Sequence, residues 1–376
     1  MEIKPTEQDT NTDFSIMSGI HFRSFFLPLF LLLVFTSSAQ INGHTCQHRH
    51  KGMTWRSASD ASRSDTLDIL HFDISLDFTQ ANAQLVSGVA TLNVLTLESV
   101  TALLFDFEGM TTDSVHLNGE STPFTHSGET LSIVPASLIS AGEELEVRVY
   151  YHGQPLQDDS GWGGFYFQSD YAYNLGVGFA ADPHSYGRIW HPCFDNFVER
   201  APYTLRVLTN NGKKSYCGGM LTSETVMNDS TLRVWELNQH IPSYLASVAT
   251  GNYVHAEQTF ESMTGSDIPI WLAAHAEDTT DLKNSFVNLI PALEAFEADF
   301  GPYRWPRVGY VTVPFSSGAM EHACNIAYPL FAANGSTANQ TLMAHELSHH
   351  WWGDLVTCST QEDMWLNEGM ASHCEA

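Results

Sequence analysis

Basic residues are scarce: 16 Lys and Arg stand against 43 Asp and Glu in 376 residues, a formal charge of −27. A surface of that sign repels phosphate backbones and anionic lipid, so nucleic acid is not an expected partner. Cysteine is also sparse. Cys46, Cys193, Cys217, Cys324, Cys358 and Cys374 include no Cys-x-x-Cys pair. That excludes a zinc ribbon and leaves buried thiols or one or two incidental bridges. The apolar run Phe25–Phe35 has eleven residues, short of the ~20 that span a bilayer. No stretch repeats internally.

What is present is core-forming material, with 43% hydrophobic and 12% aromatic residues, enough for two domains. The run Phe25–Phe35, after Arg23 and before Ser37-Ser38-Ala39, has the build of a secretory signal peptide cleaved after Ala39, giving a secreted protein. Glu2, Glu7, Asp9 and Asp13 precede it with the wrong charge, so translation is expected from Met17. Once the signal is cleaved, no stable membrane insertion is expected. Residues 40–64 read as a polar linker, whose tract His44-Thr45-Cys46-Gln47-His48-Arg49-His50 could capture metal.

From Leu67 the pattern alternates, with Leu70, Phe72, Ile74, Leu76 and Phe78 on one face, the period of a half-buried strand. Further strand signals follow at 89–97, 102–107, 144–151, 203–208, 231–237 and 245–250, between turns such as Asn118-Gly119 and Asn211-Gly212. Residues 65–255 thus read as an antiparallel β domain. Gly161–Val177, rich in Gly and aromatics, reads as a twisted hairpin rather than a substrate-facing loop. After a strand at 268–272 the period changes. Leu282, Phe286, Leu289, Leu293, Phe296 and Phe300 mark one helical face, capped by Asp278 or Thr279, kinked at Pro291 and ended by Gly301-Pro302.

The chemistry concentrates at His345-Glu346-Leu347-Ser348-His349, in a helical stretch that starts near Thr341. Histidines four apart share a helix face, so both imidazoles can reach one ion. A hydrolytic zinc site wants a third protein ligand and an open position. Asp354, Glu362, Asp363, Glu368 and Glu375 are available, and spacing alone does not choose among them; a second helix over 362–375 could present Glu368. Trp351 and Trp352 read as core, and Asp354 and Glu375 as helix–helix ion pairs or solvated charges.

The stretch His345–Glu375, HELSHHWWGDLVTCSTQEDMWLNEGMASHCE, resembles the gluzincin aminopeptidases, the group of alanyl aminopeptidase and leukotriene hydrolase. Gly318-Ala319-Met320-Glu321-His322 resembles that family's G-x-M-E-N motif, and Trp190-His191-Pro192-Cys193-Phe194-Asp195 its proline, cysteine and aspartate segment. The resemblance implies an α+β fold of two domains. An N-terminal antiparallel β-saddle (65–255) precedes the first part of a thermolysin-like catalytic domain (256–376). It implies one zinc per chain on His345, His349 and Glu368, with Glu346 as general base. Glu321 would bind the free α-amine of a peptide substrate, and the strand holding Gly318 and Ala319 would pair with the substrate backbone. His322 replaces the family's asparagine and reads equally as a substrate contact or a supporting histidine. The family also places a transition-state tyrosine beyond the third ligand, past Ala376, so weak activity is expected of this chain. Two other readings stand: a zinc endopeptidase with the same ligands, which would not need Glu321, and a noncatalytic peptide-binding relative.

Overall fold

The computed structural model describes residues 64–376. The signal segment 1–39, the tract His44–His50 and Cys46 lie outside the described residues. Strand Leu67–Asp77 forms as the alternation requires, with Phe72, Ile74 and Leu76 buried. The face assigned to Leu70 needs correction. A register irregularity between Ile69 and His71 shifts the pleat, so Ile69 is buried and Leu70 only half-buried.

That strand lies inside an eight-stranded sheet. Its order runs Met220–Val226, Ser230–Ile241, Ala201–Asn210, Leu67–Asp77, Val86–Thr96, Glu144–Gly153, Thr111–Leu117 and Glu120–Ser121. All neighbours pair antiparallel except Leu67–Asp77 with Ala201–Asn210, which run parallel from Phe72↔Tyr203 to Asp77↔Leu208. The expectation of an antiparallel domain fails at this one seam. More than a hundred residues separate the two strands, ample chain for the crossover that parallel pairing demands. A three-stranded sheet holds Leu103–Asp106, Thr130–Ile133 and Phe124–Ser127. A four-stranded one holds Lys214–Cys217, Val248–Gly251, Tyr171–Gly178 and Gly163–Gln168. The last two of these pair as the expected hairpin.

The segment Trp190–Asp195 is buried between these sheets. Asp195 accepts hydrogen bonds from the Gly187 and Arg188 amides and the Ser243 hydroxyl, and pairs with the Arg188 guanidinium at 2.9 Å. A buried carboxylate so fully partnered offsets its desolvation and ties three loops together.

A further sheet begins at Tyr253, with order Tyr253–Glu261, Asp267–His275, Val308–Val313 and Ile326–Pro329. Its first pair is antiparallel and the next two are parallel. Helices α1 (Thr279–Ser285) and α2 (Leu289–Phe300) connect its second and third strands. The single kinked helix expected here is two helices, because Pro291 falls in the first turn of α2, where its missing N–H costs nothing, and the chain breaks just before it. Neither Asp278 nor Thr279 caps α1 by its side chain; Thr279 Oγ1 instead donates to the His275 carbonyl. Gly301 ends α2 at φ 91°. Leu282, Phe286, Leu289 and Leu293 are buried on the predicted face, each worth ~1.5–3 kcal/mol in burial.

Helix α3 (Gln340–Ser348) and helix α4 (Met364–His373) complete the described chain. Tyr328 Oη donates to the Asn339 carbonyl at the start of α3, and Tyr310 Oη donates to Met343 O midway along it. The sheet thereby fixes both the position and the rotation of the helix. Among the described residues no helix is long and apolar enough to cross a membrane, and the five described cysteines are free thiols.

Candidate metal centre

His345 sits in the last turn of α3 and His349 just after it, still in helical conformation, so the four-residue spacing puts both rings on one side. Their orientation is set from behind. His345 Nδ1 lies 2.9 Å from Glu375 Oε1, and His349 Nδ1 lies 2.9 Å from the Trp352 carbonyl. Both partners accept, so each Nδ1 carries the proton and each neutral Nε2 presents a lone pair. Those Nε2 atoms are 3.1 Å apart, with Glu368 Oε2 3.3 Å from one and 3.8 Å from the other.

With both rings neutral, three acceptors converge with no donor among them, an arrangement satisfied by a bound cation or by a proton taken up on His345. A tetrahedral zinc at ~2.0–2.1 Å from its ligands spaces the donors ~3.3 Å apart, close to what is seen. The residues fit the metal. In its absence His345 is pushed up to about 9: burial opposes its charge, but the hydrogen bond to Glu368 and the charges of Glu346, Glu368 and Glu375 outweigh it.

Chain reversal brings α4 to α3. Glu368 lies on α4 and Glu375 in the turn just after its end, and both carboxylates reach His345. Glu375 is more than an ion pair between helices, since it holds the ring that presents Nε2. Gly353, at φ 133°, serves the other ring. A Cβ there would lie 3.1 Å from His349 Nδ1, so glycine lets the chain turn beneath it.

Glu346 and Glu321 are buried, and their carboxylates and a ring nitrogen of His349 lie within 4.8 Å of one another. Burial raises both acids; the Glu321 charge is the next cause of the rise in Glu346, and the Glu368 charge adds to the rise in Glu321. Two buried acids so close favour an incoming cation such as an ammonium. Gly318 and Ala319 lie beside Glu321, but no strand contains them; the nearest ladder contact is the bridge Met320↔Ala327. The strand expected to hold Gly318 and Ala319 is thus a stretch outside any strand.

His322 points away from this cluster. Its Nε2 accepts from the Gly176 amide at 3.1 Å, and burial pushes it down to about 3, so it is a neutral strut under the hairpin. Asp354 is not solvated either. It is fully buried, and neither carboxylate oxygen finds a hydrogen-bond partner among the described residues. Trp351 is core as expected, its Nε1 donating to Gly301 O, and Trp352 packs edge-on to Phe300.

A cavity of about 250 Å³ opens onto the metal-ligand set. One wall carries His345, Glu346, His349, Glu368 and Glu321. The other carries Trp162, Val177 and Phe179, from the start and end of the hairpin. Reading Gly161–Val177 as a hairpin alone therefore missed that its margins face the site. Clustered aromatics beside glycines were the available signal.

Residues 285–376 match the profile of the Peptidase family M1 domain. These residues thus carry an M1 domain of the gluzincin aminopeptidase type. It is 27% identical over 262 residues to aminopeptidase B of Rattus norvegicus, covering 67% of this chain and 37% of that protein. It is 24% identical over 318 residues to leukotriene A-4 hydrolase of Xenopus laevis, covering 81% and 50%. The chain thus spans half or less of the curated relatives it matches. In fold it resembles the M1 zinc metallopeptidase of Deinococcus radiodurans, with a TM-score of 0.73 and 22% identity over 82% of this chain and 70% of that one. A mutant of that protein has been solved with a Tyr-Ser-Ala substrate, with a TM-score of 0.74 to this chain. An α+β fold, β-rich part first and catalytic part second, is therefore the M1 fold, and the M1 domain at 285–376 implies zinc.

Proposed function

We propose that this chain carries the zinc centre of a secreted aminopeptidase that removes N-terminal residues from peptides. The division into a β domain to about residue 255, a catalytic part after it and a signal segment at 1–39 belongs to this reading. His345, His349 and Glu368 hold one zinc. When bound, zinc supplies Lewis acidity, polarising a carbonyl and lowering the pKa of water to ~7. Glu346, one residue from a ligand and buried in the same cavity, takes the proton of the attacking water and later delivers it to the departing amine.

Glu321 receives the α-ammonium of the substrate, and the distance from that anchor to the ligand set fixes which bond is reached. Only the first peptide bond then lies over Glu346. Gly318 and Ala319 flank the anchor along the path of the substrate backbone. The observation that carries this reading is Glu321 and Glu346 within 4.8 Å of one another beside His349. An endopeptidase has no use for the buried charge of Glu321, and a binding relative has none for Glu346.

The experiment is hydrolysis of an aminoacyl-arylamide and its N-acetylated form by zinc-loaded wild type and Glu321→Ala. Aminopeptidase action predicts cleavage of the free amine only, and its loss in the variant. Undiminished cleavage of the acetylated form by the variant would favour the endopeptidase. Zinc retention with no cleavage of either would favour the binding relative.

A further inference from the structure

The cavity's second wall is aromatic and has no charge of its own. Trp162 stacks on Phe179 with centroids 4.5 Å apart and planes 8° from parallel, and Phe315 meets Trp162 edge-on at 5.4 Å. The indole N–H is already spent, donating to the Ser317 carbonyl at 2.8 Å, which fastens the wall to the stretch leading into Gly318. A Cβ on Gly318 would touch the indole at 3.5 Å, so backbone and ring lie in contact. Leu342 of α3 and Met364 of α4 extend the apolar surface on the helix side.

Every ionisable residue lining this cavity is a metal ligand, Glu346 or Glu321. A substrate held by its amine at Glu321 and by its first carbonyl over the metal has one group left to place, its first side chain. The geometry points to the Trp162–Phe179 stack as the wall of that subsite, selecting apolar and above all aromatic first residues over basic and acidic ones. This rests on the reading of Glu321 as the amine anchor. A phenyl or isobutyl group gains contact with ring faces there. An arginine or glutamate head group would lose water and find no uncommitted partner.

Binding of L-phenylalaninamide, L-leucinamide, L-alaninamide, L-argininamide and the α-amide of L-glutamate to the zinc-loaded full chain, measured by calorimetry, tests this without requiring turnover. The phenylalanine and leucine amides should bind at least ~10-fold more tightly than the alanine, arginine and glutamate ones. Trp162→Ala should abolish the preference for phenylalaninamide over alaninamide. Phe179 is 56% exposed, so Phe179→Ala should reduce the same ratio in a protein that melts like wild type. Equal or tighter binding of the arginine or glutamate amide, or an unaltered phenylalanine-to-alanine ratio in both variants, would overturn the assignment. The N-acetylated amides provide the separate control. If they bind as well as the free amines, Glu321 is not the anchor, and the ranking among side chains still decides the fate of the wall.

Discussion

Helix α3 brings His345, Glu346 and His349 to the metal centre, with His349 1% exposed and the helix pinned by Tyr310 and Tyr328. Helix α4 brings Glu368, with its side chain 51% exposed, on a helix that buries only Asn367 and Ala371 and leaves Trp365 and Leu366 in the open. The segment after α3 is lashed as well. Trp305 Nε1 donates to His350 O, and Tyr303 donates to Arg307 O while receiving the His350 ring N–H. The histidine half is preorganised by packing, whereas the carboxylate half is held mainly by its attraction to His345. Removing zinc should therefore loosen α4 and leave α3 nearly as it was, which amide hydrogen exchange of the two helices with and without chelator will read.

The sharpest separation of chemistry from scaffold comes from Glu346→Gln. Turnover should fall by ~10²–10⁴-fold, the usual worth of a general base, with zinc content unchanged. Next is Glu375→Ala, which spares the ligands but removes the acceptor that orients His345. Zinc affinity should drop ~10–100-fold by competition with a chelating dye, with little change in melting. On the histidine side, Gly353→Ala forces a φ of 133° on a residue with a Cβ and crowds His349. A loss of ~1–3 kcal/mol in denaturant titration is expected, together with weaker zinc binding. Should Gly353→Ala prove silent while α4 variants abolish binding, the contrast between the halves would be inverted.

Smaller effects follow from buried titrating groups. Burial pushes His191 down to about 4 from 6.5. Between those values the unfolded chain binds a proton that the folded one refuses. Stability from this group is complete above pH 6.5 and is lost on acidification, at up to ~1.4 kcal/mol per pH unit. His191→Phe, which keeps a ring against Trp190, Phe72 and Tyr203, should flatten that slope. Asp354 has the opposite sign. Burial raises it above 3.8, so its charge destabilises the fold increasingly as pH rises. Asp354→Asn should stabilise the zinc-free protein at neutral pH by ~1–3 kcal/mol, and the gain should vanish below about pH 4.

Much of the scaffold was legible in the sequence because alternation and helical spacing are local. Strand Leu67–Asp77, the hairpin and the start of α3 all follow from such patterns. The parallel seam at Phe72↔Tyr203 was not legible, because pairing across so long a connection leaves no periodic mark. Pro291 was visible as a break, though its place in a first turn depends on where the preceding helix stops. At the site, histidine spacing told which rings could meet, while the choice of Glu368 among five acids came from family resemblance. Glu375 was visible in the sequence as one acid among five, and its role at His345 acquires meaning only once the end of α4 is seen to face that ring. For His322 the supporting reading was one of two left open, and Asp354 was misjudged, for one reason: burial of a polar side chain is decided by elements distant in sequence, here the hairpin at Gly176 for one and Arg200 for the other.

The central claim is that His345, His349 and Glu368 converge as lone-pair donors awaiting a metal. Zinc content after dialysis against trace metal tests it most directly, comparing wild type with a correctly folded His345→Ala. The account predicts about one zinc per chain in wild type and a near-complete loss in the variant. Equal, substoichiometric zinc in both proteins would contradict it.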